Sequence, residues 1–153
     1  MAKTEKATFK EIVKSIPTIA NAYKDGLQAV ESKDAPRIKP QNPRKLSGSI
    51  YLDKCLKSAN PHEARWDYVI GYDERAFFAE VHPANTSNVD EVVKKKNWLE
   101  GWLNANAAAL KALMAGSNYY WIASGKVAIL PNSPQARRTA KNKLILCKEL
   151  KLS

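Results

Sequence analysis

Two apolar runs, WDYVIGY (Trp66–Tyr72) and AFFAEVH (Ala76–His82), constrain this chain more than any other feature, with Asp73, Glu74 and Arg75 as the turn between them. Each run is apolar on both faces, the pattern of strands in a sheet covered on either side. Yet they carry Asp67, Glu80 and His82. If the runs pair as a hairpin with a two- or four-residue loop, Asp67 falls directly opposite Glu80. Side chains alternate with period two, so His82 shares their face. Carboxylates facing each other across strands repel, and burying them costs more still. The pattern calls for positive charge between them, and a divalent cation answers it.

At 153 residues the chain has the length of one domain and can bury roughly two-thirds of its unfolded surface. Its charge is unusual. Twenty-five Lys and Arg against fifteen Asp and Glu give a net +10, which favours a polyanionic partner, nucleic acid or an anionic surface, over mere solubility. Cys55 and Cys147 stand alone without a CxxC, and no secretory signal opens the chain. The expectation is therefore free thiols in a reducing cytoplasm. With only His62 and His82 as imidazoles, a structural zinc site is not expected. No apolar run approaches the roughly 20 residues needed to span a bilayer, so no membrane partner is expected. The basic residues are scattered rather than set along one amphipathic helix, which ranks a membrane-surface role last.

Local signals divide the chain. Thr8 and Glu11 make a capping-box pattern ahead of Phe9, Ile12, Val13 and Ile16. Pro17 ends or kinks that helix, and Ile19, Tyr23, Leu27 and Val30 then recur at helical spacing. Residues 1–31 are thus expected to form an N-terminal helical layer. Residues 32–48 read as a Pro-rich basic loop carrying Lys33, Arg37, Lys39, Arg44 and Lys45, able to follow a phosphate backbone or to lie solvated. The core is expected over 49–130: a strand at Ser49–Leu52, the two central runs, a helix from about Val89 to Met114, an aromatic strand at Tyr119–Ser124 broken by Gly125, and a further strand at Lys126–Leu130. Asp53–Ala59 fits either an extension of the first strand or a short helix. Residues 131–153 supply a short helix opened by Ser133-Pro134, with Arg137, Arg138 and Lys141, and a last strand at Leu144–Leu152.

At about 100° per residue, the long helix sets Val89, Val92, Leu99, Leu103 and Leu110 on one stripe, with Lys96 in its middle. Lys95 lies on the flank and Lys94 points away. A lysine on a sheet-facing stripe is rarely left unpaired. From the N-terminal third of the helix Lys96 can reach toward Glu80 and His82, or snorkel to the sheet edge. Trp98 and Trp102 are most simply read as packing for a neighbouring layer or for a second copy of the chain, with base stacking as the alternative, and a homodimer is compatible with them. Two carboxylates on adjacent strands with a basic residue beside them can hold Mg²⁺ or Mn²⁺, acidify a water and stabilise charge on a phosphodiester.

With Asp67 as first acid, Glu80-Val81-His82 as an acid-x-basic tripeptide and this order of elements, the segment from Ser49 to Ser124 resembles the restriction-endonuclease-like, PD-(D/E)xK, nucleases. The resemblance implies an α/β fold, a mixed central sheet flanked by helices with an α-β-β-β-α-β core. It also implies divalent-metal catalysis and a nucleic-acid substrate, DNA ahead of RNA. Asp67 and Glu80 would be the metal ligands, and Asp67, Glu80, His82 and Lys96 the catalytic set. Trp66 stands where the family has Pro, and His82 replaces the lysine. In that superfamily the lysine can migrate to the following helix, where Lys96 lies. Lys33, Arg37, Lys39, Arg44, Lys45, Arg137, Arg138 and Lys141 are the candidate phosphate contacts. The competing reading is an inactive nucleic-acid-binding or interaction module that keeps the fold, its buried acids paired with His82 and Lys96 rather than with metal.

Overall fold

The computed structural model describes residues 7–153; residues 1–6 of the expected N-terminal layer lie outside it. Helix α1 (Phe9–Lys14) starts where its sequence says it should. Thr8 Oγ1 accepts from the Glu11 N–H, and the Glu11 carboxylate accepts from the Thr8 N–H, each at 3.1 Å. The helix buries Phe9 and Val13.

Five strands form the main sheet: β2 (Leu46–Tyr51), β3 (Tyr68–Tyr72), β4 (Arg75–Ala84), β5 (Tyr119–Val127) and β6 (Leu144–Cys147), side by side in that order. The first three run antiparallel to their neighbours, whereas β5 lies parallel to β4 and β6 parallel to β5. The parallel step is made by α3 (Val89–Asn106) and the one-turn α4 (Ala108–Lys111), since parallel neighbours need a long crossover. The molecule is a mixed α/β structure with a five-stranded mixed sheet flanked by helices.

Alternation along β3 sorts the core into two layers. Val69 joins Phe9, Val13, Phe78, Trp121 and the α3 residues Val92, Leu99 and Leu103 on one face. Tyr68 and Ile70 join Val30, Ile38, Ile122, Leu150 and Leu152 on the other.

Several expected elements are rearranged. The spacing of Ile19, Tyr23, Leu27 and Val30 does not make a helix; only a 3₁₀ turn at Ala20–Ala22 forms. The segment rounds the sheet edge instead, putting Ile19 in one core layer and Val30 in the other. Lys24 bridges to Ser49 at that edge, and Gly26 takes a φ of +54° that favours glycine. Residues 32–48 are not one loop either. They contain β1 (Ile38–Pro40), paired in parallel with β7 (Leu150–Leu152) as a separate two-stranded sheet. The expected strand Leu144–Leu152 is accordingly split into β6 and β7. A short helix, α2 (Leu52–Cys55), resolves the ambiguity at Asp53. The long helix ends at Asn106 rather than Met114, because Ala107 leaves helical geometry and so buries itself and Leu110. Gly125 does not break its strand: β5 continues to Val127, with an irregular register opposite His82 and Ala84. Helix α5 (Pro134–Lys141) opens on Ser133, whose hydroxyl accepts from the Ala136 N–H.

Candidate functional site: two carboxylates and a lysine at the sheet end

Asp73 and Glu74 both occupy the left-handed region, at φ 51° and 60°. They form a two-residue hairpin loop of the kind whose twist matches paired strands. Arg75, expected in the turn, is the first residue of β4. The loop fixes the register from Tyr72 opposite Arg75 to Tyr68 opposite Ala79. One further step places Asp67 opposite Glu80, as the sequence requires.

At that step the backbone ladder gives way to side chains. The Asp67 N–H donates to Glu80 Oε1 at 2.9 Å, and Asp67 Oδ2 accepts from the Val81 N–H at 3.0 Å. The Asp67 carbonyl accepts from the Leu52 N–H at 2.7 Å, which ties β3 to α2. The two acids are thus held by groups freed where β3 ends and β4 continues.

Lys95 supplies the positive charge. Its Nζ donates to Glu80 Oε2 at 2.6 Å, while the Glu80 side chain is fully buried and that of Lys95 is 20% exposed. This corrects the expectation for Lys96. Lys96 is buried on the stripe as expected, but its Nζ pairs with Glu100 at 2.9 Å and lies 5.9 Å from the centre of the Tyr119 ring. The flank of the helix, not the centre of its stripe, looks along the strand end toward Glu80. His82 is also turned elsewhere: Nε2 meets Glu91 at 3.1 Å, and its ring is edge-on to Trp121.

Burial dominates the electrostatics. It pushes Asp67 up to about 6, against a downward pull from Lys95 and the Val81 N–H. Burial and the facing Asp67 push Glu80 up to about 8, with Lys95 pulling it back. Burial works to lower Lys95, but Glu80, helped by Asp67, holds it above the usual lysine range.

Asp67 and Val81 border a cleft of about 360 Å³ whose walls also carry Asp34, Arg37, Tyr51 and Lys33. Tyr68 donates to Asp34 at 2.7 Å, and Tyr51 donates to Glu31 at 2.9 Å. Arg37 spans to β5, donating to the carbonyls of Ala123 and Ser124 at 3.0 and 2.9 Å.

The other basic candidates do not gather here. Lys39 pairs with Glu149 on the outward face of the β1–β7 sheet. Arg44 and Lys45 sit before Leu46, which pairs with Tyr72 at the hairpin end of the sheet. That is the opposite end of β3 from Asp67. Arg137 donates to the Asn132 carbonyl and Arg138 pairs with Asp90 on α3, while Lys141 is exposed at the end of α5.

Among the described residues, no group of three or more His, Cys, Asp and Glu side chains is set to hold a metal ion. Mg²⁺ or Mn²⁺ asks for only one or two carboxylates with water completing the shell, and Asp67 and Glu80 are the residues that would supply them, although Glu80 is fully buried with a protein partner on each oxygen. Asp67 borders an open cleft, and burial makes the pair's second negative charge costly until a cation joins it. Lys95 carried only a weak sequence signal, its flanking position beside the stripe.

No protein-family model, curated protein or solved structure matches the chain. Fold and site define it by construction: a mixed α/β sheet with an acid–acid–lysine cluster where two central strands part. No helix among the described residues is long and apolar enough to cross a membrane.

Proposed function

We propose that this chain is a divalent-metal-dependent nuclease with a restriction-endonuclease-like core, in which Asp67 and Glu80 hold the metal and Lys95 is the site lysine. The observation that carries the reading is the 2.6 Å contact from Lys95 to a fully buried Glu80 whose other oxygen accepts from Asp67. Three antiparallel strands, a helix, and a strand parallel to the third support it, being the element order that the sequence resemblance implies. A bound Mg²⁺ or Mn²⁺ would supply Lewis-acid polarisation of a phosphodiester and an acidified water. The chain's own part is positional and electrostatic. Lys95 keeps its proton, fixes one oxygen of Glu80 and offers positive charge where a phosphoryl group gains negative charge. Val81 fixes one oxygen of Asp67, which aligns the carboxylate with the cleft.

One observation favours an inactive nucleic-acid-binding module instead: both Glu80 oxygens already have protein partners. The two readings separate in one assay. Purified chain is incubated with labelled single- and double-stranded DNA and RNA, in Mg²⁺, Mn²⁺ or EDTA. The nuclease reading expects metal-dependent cleavage that Asp67→Asn abolishes. Cleavage that persists in Asp67→Asn, or none with any substrate, rejects it.

A further inference from the structure

We propose that a groove running from Lys24 past Tyr51 to Asp67 is the track of a single-stranded polynucleotide, an inference that rests on the nuclease reading for its direction and extends it to substrate class. Three clefts of about 390, 520 and 360 Å³ adjoin along this path. Tyr51 borders all three, Lys54 joins the first to the second, and Glu31 joins the second to the third.

Charge is sorted along the groove. Lys24 and Lys54 border the first cleft, Lys54 and Lys57 the second, and Lys33 the third. All four lysines are exposed, and none is in an ion pair among the described residues. The arginines of the same walls are committed to the protein: Arg65 to Asp53 and the Asn60 carbonyl, Arg37 to the carbonyls of β5. The acids Asp34, Asp53 and Asp67 are more enclosed than the lysines, and the exposed Glu31 is engaged by the Tyr51 hydroxyl. Four exposed lysines without an ion pair, against carboxylates that are enclosed or already engaged, match a phosphate backbone lying on the lysines, with its scissile group over the acids. Of these lysines the sequence pointed only to Lys33, because Lys24 and the Lys54–Lys57 segment belong to different local patterns.

Tyr51 sets the strandedness. Its ring lies 4.7 Å from that of Tyr68, and its hydroxyl is fixed by Glu31. It is therefore a rigid half-buried platform at the junction of the clefts. A base can stack on such a platform only if it is unpaired. A duplex keeps its bases inside its own stack, and clefts of a few hundred Å³ have the size of small-ligand sites.

Fluorescence anisotropy of the intact chain in EDTA, where metal-dependent cleavage is silent, tests this. The probes are labelled oligothymidylate and oligouridylate of about ten nucleotides, and a duplex of equal length. Binding of either single strand, tighter than the duplex and weakened by salt, is expected. Lys54→Ala/Lys57→Ala should flatten the log–log salt slope by about 1.4, at about 0.7 per phosphate contact. Arg44→Ala/Lys45→Ala should leave that slope in place. Tyr51→Leu should weaken binding about tenfold while Tyr51→Phe retains it, one stacked base being the difference. A slope unchanged in the Lys54/Lys57 variant, or duplex bound as tightly as single strand, overturns the track. The outcomes keep the two readings apart. The expected binding pattern without cleavage in Mg²⁺ or Mn²⁺ retains the track and rejects the nuclease. Metal-dependent cleavage with the slope unchanged does the reverse.

Discussion

Replacing Lys95 by Met leaves much of its stem in place and removes the charge that faces Glu80. At alkaline pH, above the raised value of Glu80, the carboxylate is then buried with no cation beside it, a change that costs about 3 kcal/mol in comparable pairs. Lys96→Met breaks an i,i+4 contact with a partly exposed Glu100, a contact of about 0.5 kcal/mol. Urea denaturation should therefore rank Lys95→Met well below Lys96→Met, and equal midpoints would refute the assignment of Lys95. If the chain cleaves nucleic acid, Lys95→Met should lose that activity and Lys96→Met should keep it. The acids give a second test. Asp67 rises from an ordinary 3.8 to about 6 and Glu80 from 4.5 to about 8, so the folded chain binds more protons than the unfolded one between those limits. Stability from these groups is complete below the lower limit and is lost as pH rises through the folded values. The melting midpoint should fall from about pH 5 to pH 8, and Glu80→Gln should flatten the upper part of that fall. An identical pH profile in Glu80→Gln would remove Glu80 as its source. At pH near 8, Mg²⁺ should raise the midpoint of the wild-type chain but not that of Asp67→Asn, because a ligand that binds only the folded state stabilises it. The facing of Asp67 and Glu80 was legible in the sequence because period two and a short turn determine it. The identity of the lysine was not. A 100° helical wheel tells which residue is buried, but not which stem runs along a neighbouring strand end.

At the scale of elements, Gly71 shows how α1 is seated on the sheet. A Cβ at Gly71 would run into the Phe9 ring, so β3 offers a bare backbone patch that the aromatic ring covers. Gly71→Ala should cost about 1–3 kcal/mol by overpacking, and Phe9→Ala about 3–5 kcal/mol by leaving a cavity. In the Phe9→Ala background the added methyl should cost much less. A double-mutant cycle by chemical denaturation that gives additive losses would show that the two residues do not share this contact. Elements specified by nearby residues were readable from the sequence: the capping box of α1, the hairpin and the Ser133 cap of α5. Those that failed depend on distant partners. Ile38–Pro40 is a strand only because Leu150–Leu152 lies beside it, and no local pattern announces that pairing. Ile19 to Val30 shows the converse, a helical spacing overridden because the segment must cover both faces of the sheet.

For the whole molecule, that distant pairing closes one side. β7 lays Leu150 and Leu152, 3% and 0% exposed, over the sheet face that holds Tyr68, Ile70 and Ile122. The Gln41 N–H donates to the Leu152 carbonyl at 2.7 Å, securing the end of β1. Burial of two leucines contributes about 3–6 kcal/mol, a large part of the roughly 5–15 kcal/mol typical of a folded domain. The cleft depends on the same closure, since β1 follows directly on the turn Ala35–Arg37. Arg37 in that turn is pinned to β5, and Asp34 before it to Tyr68. A chain shortened to end at Cys147 should therefore have a much lower urea midpoint. Leu152→Ala should lose about 2–4 kcal/mol while keeping cooperative unfolding. Both variants should bind single-stranded oligonucleotide less well than the Gly71→Ala chain does, because Gly71 lies near the hairpin end of β3 and the cleft at the other. A shortened chain with an unchanged midpoint would show that β7 is an ornament to the sheet rather than its cover, and that the cleft wall stands without it.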